Sequence, residues 1–384
     1  MLNLIQDLPS HIQEASAIFK DSNISKLNGI DNLIITGLGG SGIGGTIASE
    51  IASSSCSIPI LVNNSYHLPA FVNERTLVIA CSYSGNTEET LMCFGQAQEM
   101  GAQISVITSG GILLDKAKES GLDHVIIPGG NPPRSMLGYS LSVLLLMFDA
   151  YGIVSIDAEQ KLLSATRLLE NEQDSIKLNA KELASKTKNN IPVTYACAGF
   201  SGVATRWRQQ FNENAKLPGW NAEVPEMNHN ELVGWTGGSD AYVVYFLRST
   251  DDFWRNQKRI EIVSEIIRKQ VPQVYDIWTQ GTSLIEQVFY LIHLGDWISY
   301  YLSEERGVDI VDIKDINYLK SELSKVSLFS DSLLSSIIIF NISFDFRTKI
   351  CHINIFYQII LLKKFNDKIN ILFFSKMRGF GVLG

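Results

Sequence analysis

Leu33-Ile34-Ile35-Thr36-Gly37-Leu38-Gly39-Gly40-Ser41-Gly42 and Thr76-Leu77-Val78-Ile79-Ala80-Cys81-Ser82-Tyr83-Ser84-Gly85-Asn86-Thr87 share one local plan. Each is a short apolar run that opens into a loop of Gly, Ser and Thr, and each is followed by a helix-compatible segment. Strands that are apolar at nearly every position suit a sheet buried on both faces. Outward from these two, the same alternation continues. Strands are expected at Leu33–Thr36, Ile58–Val62, Thr76–Ser82, Gln103–Thr108 and His124–Ile127, with helices at Ile43–Ser53, Glu88–Met100, Leu113–Glu119 and Met136–Tyr151. Strands separated by helices imply a parallel, doubly wound α/β sheet.

A polar helical stretch, Ala158 to Lys188, offers few residues for a wide buried face and reads as a connecting helix. The alternation then restarts. Strands are expected at Val193–Ala198, Ala241–Leu247 and Gln273–Trp278, and helices at Gly202–Lys216, Phe253–Lys269 and Leu284–Glu304. An amphipathic piece, Asp312–Lys325, closes the unit. The expected organisation is a first α/β domain over 1–154, a linker helix over 155–190, a second α/β domain over 191–326, and an atypical tail over 327–384.

The first loop satisfies GxGxxG through Gly37, Gly39 and Gly42, which raises a dinucleotide site. That reading also asks for an acidic residue after the next strand, where Asn63-Asn64 stands instead, so it is weakened without being excluded. The more general physics remains: Gly39 and Gly40 permit close backbone approach, and Ser41 precedes a helix whose amides favour an anion. In the second loop Ser82, Ser84 and Thr87 surround Gly85 at a strand-to-helix turn, and three hydroxyls can converge on one tetrahedral anion. Thr87 with Glu88 and Glu89 behind it also fits a helix cap, but a cap needs one hydroxyl and this loop spends three.

Composition narrows the functional classes. The 384 residues are 45% apolar and 19% charged, a packed globular profile with net charge −8. An acidic chain is poorly suited to nucleic acid, which needs a clustered basic surface. The five cysteines form no CxxC pair and no metal-like spacing with the six histidines, so no metal and no cofactor are expected. Cys81 and Cys197 lie in apolar runs and read as buried free thiols. The N-terminus lacks the pattern of a signal peptide, and no apolar stretch is long enough to span a membrane, so a cytoplasmic location is expected. The nearest candidate span, Leu141–Phe148, reads as a buried helix.

SxSGxT after a strand, preceded by a Gly/Ser-rich loop, resembles the sugar isomerase (SIS) domain family. Its members bind phosphosugars on a Rossmann-like sheet, so the resemblance assigns Ser82, Ser84, Thr87 and Ser41 to the sugar phosphate. Two segments beyond the linker extend it: Asn212-Glu213-Asn214-Ala215-Lys216, and Pro225-Glu226-Met227-Asn228-His229-Asn230-Glu231. Together with Pro132-Pro133-Arg134 they resemble the bifunctional phosphoglucose/phosphomannose isomerases, in which two SIS domains form one subunit.

That resemblance implies aldose–ketose isomerisation of a hexose 6-phosphate through a cis-enediol. Glu213 is then the base between C2 and C1, and His229 assists ring opening from the neighbouring subunit of a homodimer. Arg134 stabilises the enediolate, and Lys320 faces the sugar. The chemistry also asks for these types: a carboxylate to move a carbon-bound proton, a group titrating near neutrality, and a cation beside developing charge. Glu223, Glu226 and Glu231 compete as carboxylates, and Glu226 is a candidate to orient His229. Arg206 and Arg208, with Trp207, read as packing and ion-pair residues. The alternative functions are a non-catalytic phosphosugar-binding regulator and an amino-sugar phosphate isomerase of the same fold.

The last 58 residues differ from the rest. They carry seven Lys/Arg, three Asp and no Glu, a net of +4, against 25 basic and 37 acidic residues, −12, in the first 326. They hold nine of the 18 Phe and no Ala or Pro. Such a composition suggests translation past the true end through A/T-rich codons. An appended membrane-surface segment is the second reading.

Overall fold

The computed structural model describes residues 1–25, 27 and 29–327. Beyond Ser327 the tail lies outside the described residues. The chain divides into two compact units, the first running from Met1 to Asp312 and the second beginning at Ile313.

The first unit opens with helices α1 (Leu2–Gln6) and α2 (Leu8–Lys20). A five-stranded sheet follows, made of β1 (Asn32–Thr36), β2 (Ile60–Asn63), β3 (Thr76–Ser82), β4 (Gln103–Thr108) and β5 (Asp123–Ile126). Its helices are α3 (Gly39–Ala52), α4 (Glu88–Glu99), α5 (Gly111–Glu119) and α6 (Leu137–Ala150). The strand order is β2-β1-β3-β4-β5, and every pairing is parallel, with Leu33 beside Leu77 and Val78 beside Ile104. All seven residues of the central β3 are buried, which is why its sequence is apolar almost throughout. In α6 every residue from Leu137 to Phe148 is buried, so this apolar run is a core helix. Among the described residues no helix is long and apolar enough to cross a membrane.

A long helix α7 (Ala158–Thr187) leads to the second sheet. Its strands are β6 (Ile191–Cys197), β7 (Trp220–Val224), β8 (Tyr242–Arg248) and β9 (Val274–Trp278), ordered β7-β6-β8-β9 and again all parallel. Helices α8 (Ser201–Ala215), α9 (Glu231–Gly234), α10 (Trp254–Arg268) and α11 (Leu284–Arg306) complete the unit. Ser283 and Glu286 form a reciprocal capping box that starts α11. In the second unit, the helix α12 (Lys314–Leu323) falls within the expected closing segment.

Three features depart from the expectations. The Gly39–Gly42 stretch is not a loop before the helix but the first turn of α3. Residues Trp220–Val224, with one β-branched side chain among five, form an edge strand. Above all, α7 is no mere connector. It buries ten residues, among them Leu162, Ala165, Leu169, Ile176, Ala180 and Leu183. These belong to one hydrophobic core with Leu33 and Ile79 of the first sheet and Tyr245 and Leu247 of the second.

Candidate active site

The loops after β1 and β3 meet above the carboxyl ends of neighbouring strands, the place where parallel sheets bind ligands. The Tyr83 amide donates to Ser41 Oγ at 3.2 Å, so the two loops form one surface. The Ser82 and Thr87 hydroxyls face each other at 2.8 Å, and Ser82 Oγ also accepts from the Gly85 amide at 3.1 Å. Thr87 does occupy the N-cap position of α4, but its side chain makes no cap hydrogen bond. Its hydroxyl is turned to Ser82 instead. Ser84 is exposed, and its Oγ accepts from the Asn86 amide at 3.2 Å.

The glycines are explained by contact. Gly85 has φ +68°, and a Cβ there would lie 1.7 Å from the Gly110 carbonyl oxygen. At Gly40 a Cβ would lie 3.1 Å from the Pro133 carbonyl, so the start of α3 presses on the turn that carries Arg134. Gly39 also takes a left-handed φ of +55°, but the space around it is open.

Arg134 sits in the short turn Pro133–Ser135 and is 4% exposed. Its guanidinium is fully directed: Nε donates to Asn214 Oδ1 at 2.7 Å, Nη1 to Glu213 Oε2 at 3.2 Å, and Nη2 to the Ile310 carbonyl at 2.6 Å. Burial pulls this guanidinium below its ordinary value, and the Glu213 carboxylate opposes that shift. Glu213 lies on the last turn of α8 and its side chain is one-third exposed, so the carboxylate is both paired and reachable. A cation and a carboxylate from different halves of the chain are thereby joined beside the hydroxyl-lined loops.

Lys216, which sequence reasoning did not single out, ends α8 in the left-handed conformation at φ +53°, unusual for a residue with a side chain. Its Nζ donates to the Glu213 carbonyl at 2.6 Å. Burial, then the nearby Arg134, lowers its ordinary value. Its place in Asn212–Lys216 was the available signal.

The other expected site residues stand on different elements. His229 is exposed on the turn Glu226–His229 after β7, and within this chain it makes no hydrogen bond to Glu213 among the described residues. Glu226 makes no hydrogen bond to it among the described residues, and its carboxylate accepts from Asn230 Nδ2 at 3.2 Å. Glu231 is taken up by Tyr195 and Trp220. Lys320 lies on α12, in the second unit. Arg206 pairs with Asp296 and Trp207 is fully buried, as packing residues. Cys81 and Cys197 are buried free thiols, each pushed up to about 12 by burial.

Two parallel sheets with hydroxyl-lined loops at their strand ends match the SIS class, and the comparisons agree. A family model described as the bacterial phospho-glucose isomerase C-terminal SIS domain matches residues 176–323. A bifunctional phosphoglucose/phosphomannose isomerase of Caldicellulosiruptor bescii is 39% identical over 337 residues, covering 85% of this chain and 99% of that one. One of Thermoplasma volcanium is 39% identical over 301 residues, covering 78% and 93%. In fold, the chain resembles the crystal structure of tagatose-6-phosphate ketose/aldose isomerase from Escherichia coli, with TM-score 0.65 and 16% identity over 80% of this chain and 93% of that one. The chain belongs to the bifunctional phosphoglucose/phosphomannose isomerase family.

Proposed function

We propose that the protein interconverts glucose 6-phosphate and mannose 6-phosphate with fructose 6-phosphate through a cis-enediol. The observation that carries the reading is the Arg134–Glu213 pair, held at 3.2 Å on the turn that Gly40 abuts. In this reading Ser41, Ser82, Ser84 and Thr87 bind the phosphate. The Glu213 carboxylate takes the C2 proton of the open-chain aldose and returns it to C1, while the O2 hydroxyl proton passes to O1, so that the O1 carbonyl becomes a hydroxyl and C2 becomes the ketone. Arg134 stabilises negative charge on the enediolate oxygens. Rotation of the enediol about C2–C3 lets one base serve both C2 epimers.

His229 acts on the ring oxygen from the neighbouring subunit of a homodimer, and Lys320 contacts the sugar. Residues 1–154 and 191–326 serve as paired SIS modules, and the enzyme is cytoplasmic and independent of metal.

The test is fructose 6-phosphate formation from each aldose in a coupled assay with a chelator present. Activity is expected with both. Glu213→Gln should lose on the order of 10³-fold in turnover while still binding sugar phosphate. Full turnover in Glu213→Gln overturns the assignment of the base.

A further inference from the structure

Arg134 stands at the head of a closed circuit of hydrogen bonds. Its Nε donates to Asn214 Oδ1, Asn214 Nδ2 donates to Ser299 Oγ at 2.9 Å, and Ser299 Oγ donates to the Asp296 carbonyl at 2.7 Å. The Asp296 carboxylate accepts from Arg206 Nη2 at 2.7 Å and from Gln210 Nε2 at 2.8 Å. Arg206 Nη2 also donates to the carbonyl of Arg134 itself at 2.9 Å. The circuit leaves the Arg134 side chain, crosses α8 and α11, and returns to the Arg134 backbone.

All its side chains are buried. Asn214 and Ser299 are 0% exposed, Arg206 and Gln210 2%, and Asp296 5%. Replacing a buried ion pair by apolar packing is often neutral or stabilising, so fold stability alone does not call for Arg206 and Asp296 here. What the pair adds is direction. It fixes the Arg134 backbone on one side, while Asn214 fixes the guanidinium on the other and leaves Nη1 aimed at Glu213.

We propose that Asn214, Ser299, Asp296 and Arg206 are positioning residues that hold Arg134 in register with Glu213 for the isomerisation. The proposal rests on Glu213 being the base. Catalysis of this kind depends on placement, and a displacement of about 1 Å can cost on the order of 10² in rate.

The experiment measures kcat and KM for Asn214→Ala, Ser299→Ala and Asn214→Asp, each alone and with Arg134→Lys, which lacks the Nε donor. Asn214→Ala should lose roughly 10- to 100-fold in kcat with KM changed less than about threefold. Ser299→Ala should shift kcat the same way by less, and it carries the test if Asn214→Ala does not fold. Asn214→Asp, which keeps an oxygen facing Nε, should recover most of the loss. On the Arg134→Lys background Asn214→Ala should cost nothing further, because the contact is already gone.

Unchanged kcat in Asn214→Ala, or the same loss on both backgrounds, overturns the positioning role. If Glu213→Gln is inactive while Asn214→Ala and Ser299→Ala are fully active, the circuit fails and the base assignment stands. If Glu213→Gln keeps full turnover, the base assignment itself fails.

Discussion

At the end of β3 the Ser82 and Thr87 hydroxyls face each other; at the matching end of β8 the Ser249 amide is taken by the Asp252 carboxylate at 3.0 Å. The same contrast holds one strand over. Ser41 near the start of α3 accepts the Tyr83 amide, whereas the Gly202 amide at the start of α8 is held by both oxygens of Glu50, at 2.8 and 3.0 Å. Gln287 completes the second cluster by bonding Ser249 Oγ at 2.9 Å and Asp251 at 2.7 Å. The two sheets have corresponding strand orders, so they offer the same helix-start donors. In the first sheet neutral hydroxyls line the loops. In the second, the protein's own carboxylates stand where an external anion would go. An architecture supplies donors, and the side chains decide whether a ligand or the protein takes them.

The largest effect expected from this contrast is on substrate affinity. Ser82→Ala with Thr87→Val should raise KM for hexose 6-phosphate by roughly 10²- to 10⁴-fold, since each of the two lost hydrogen bonds to a charged group is worth about 1.5–3 kcal/mol. Ser249→Ala, in the matching position of the second sheet, should leave KM unchanged. Equal increases in both variants would erase the distinction.

A smaller effect, on stability, is expected at Gly85. Gly85→Ala places a methyl group against the Gly110 carbonyl at a left-handed φ, and should cost more than ~1 kcal/mol. Denaturant titration measures it, and an unchanged midpoint would show that the second loop tolerates redesign.

The smallest effect concerns pH. Burial raises Glu50 from 4.5 to about 7; the Gly202 amide opposes the rise and Glu223 adds to it. A carboxyl raised on folding contributes stability that is fully present below about pH 4.5 and lost as pH rises through about 7. Glu50→Gln should therefore flatten the fall in Tm across that window. Parallel curves for the two proteins would remove Glu50 as its source.

What the sequence made legible follows from how locally each feature is encoded. Strands β3 and β4 fall where expected, residue for residue, because their short runs rich in β-branched and apolar residues admit few other readings in this alternation. The start of α3 did not, since glycines weigh against a helix locally. Tertiary contact with the Pro133 turn, absent from any local window, wins there. The core role of α7 was hidden because its buried stripe is largely Ala, Thr and Leu amid a polar majority. In β7, Trp220 packs on Trp235 and Tyr242, a stabilisation that strand propensity does not report. The hydroxyl-bearing loops are contiguous in sequence, so their residue pattern is visible locally. The Arg134–Glu213 pair spans 79 positions and was reachable only through family likeness, and nothing local marked Asn214, Ser299 and Asp296 as one circuit.

The shared core carries a consequence for how this enzyme can change. With α7 and residues of both sheets in a single apolar cluster, the separation between the hydroxyl-lined loops and the Glu213 carboxylate depends on side-chain volume in the interior. No tether length adjusts it. A methylene gained or lost at Leu169 or Leu291, both in that cluster, would shift the spacing between those loops and the carboxylate. In this molecule the ruler for that spacing is the hydrophobic core.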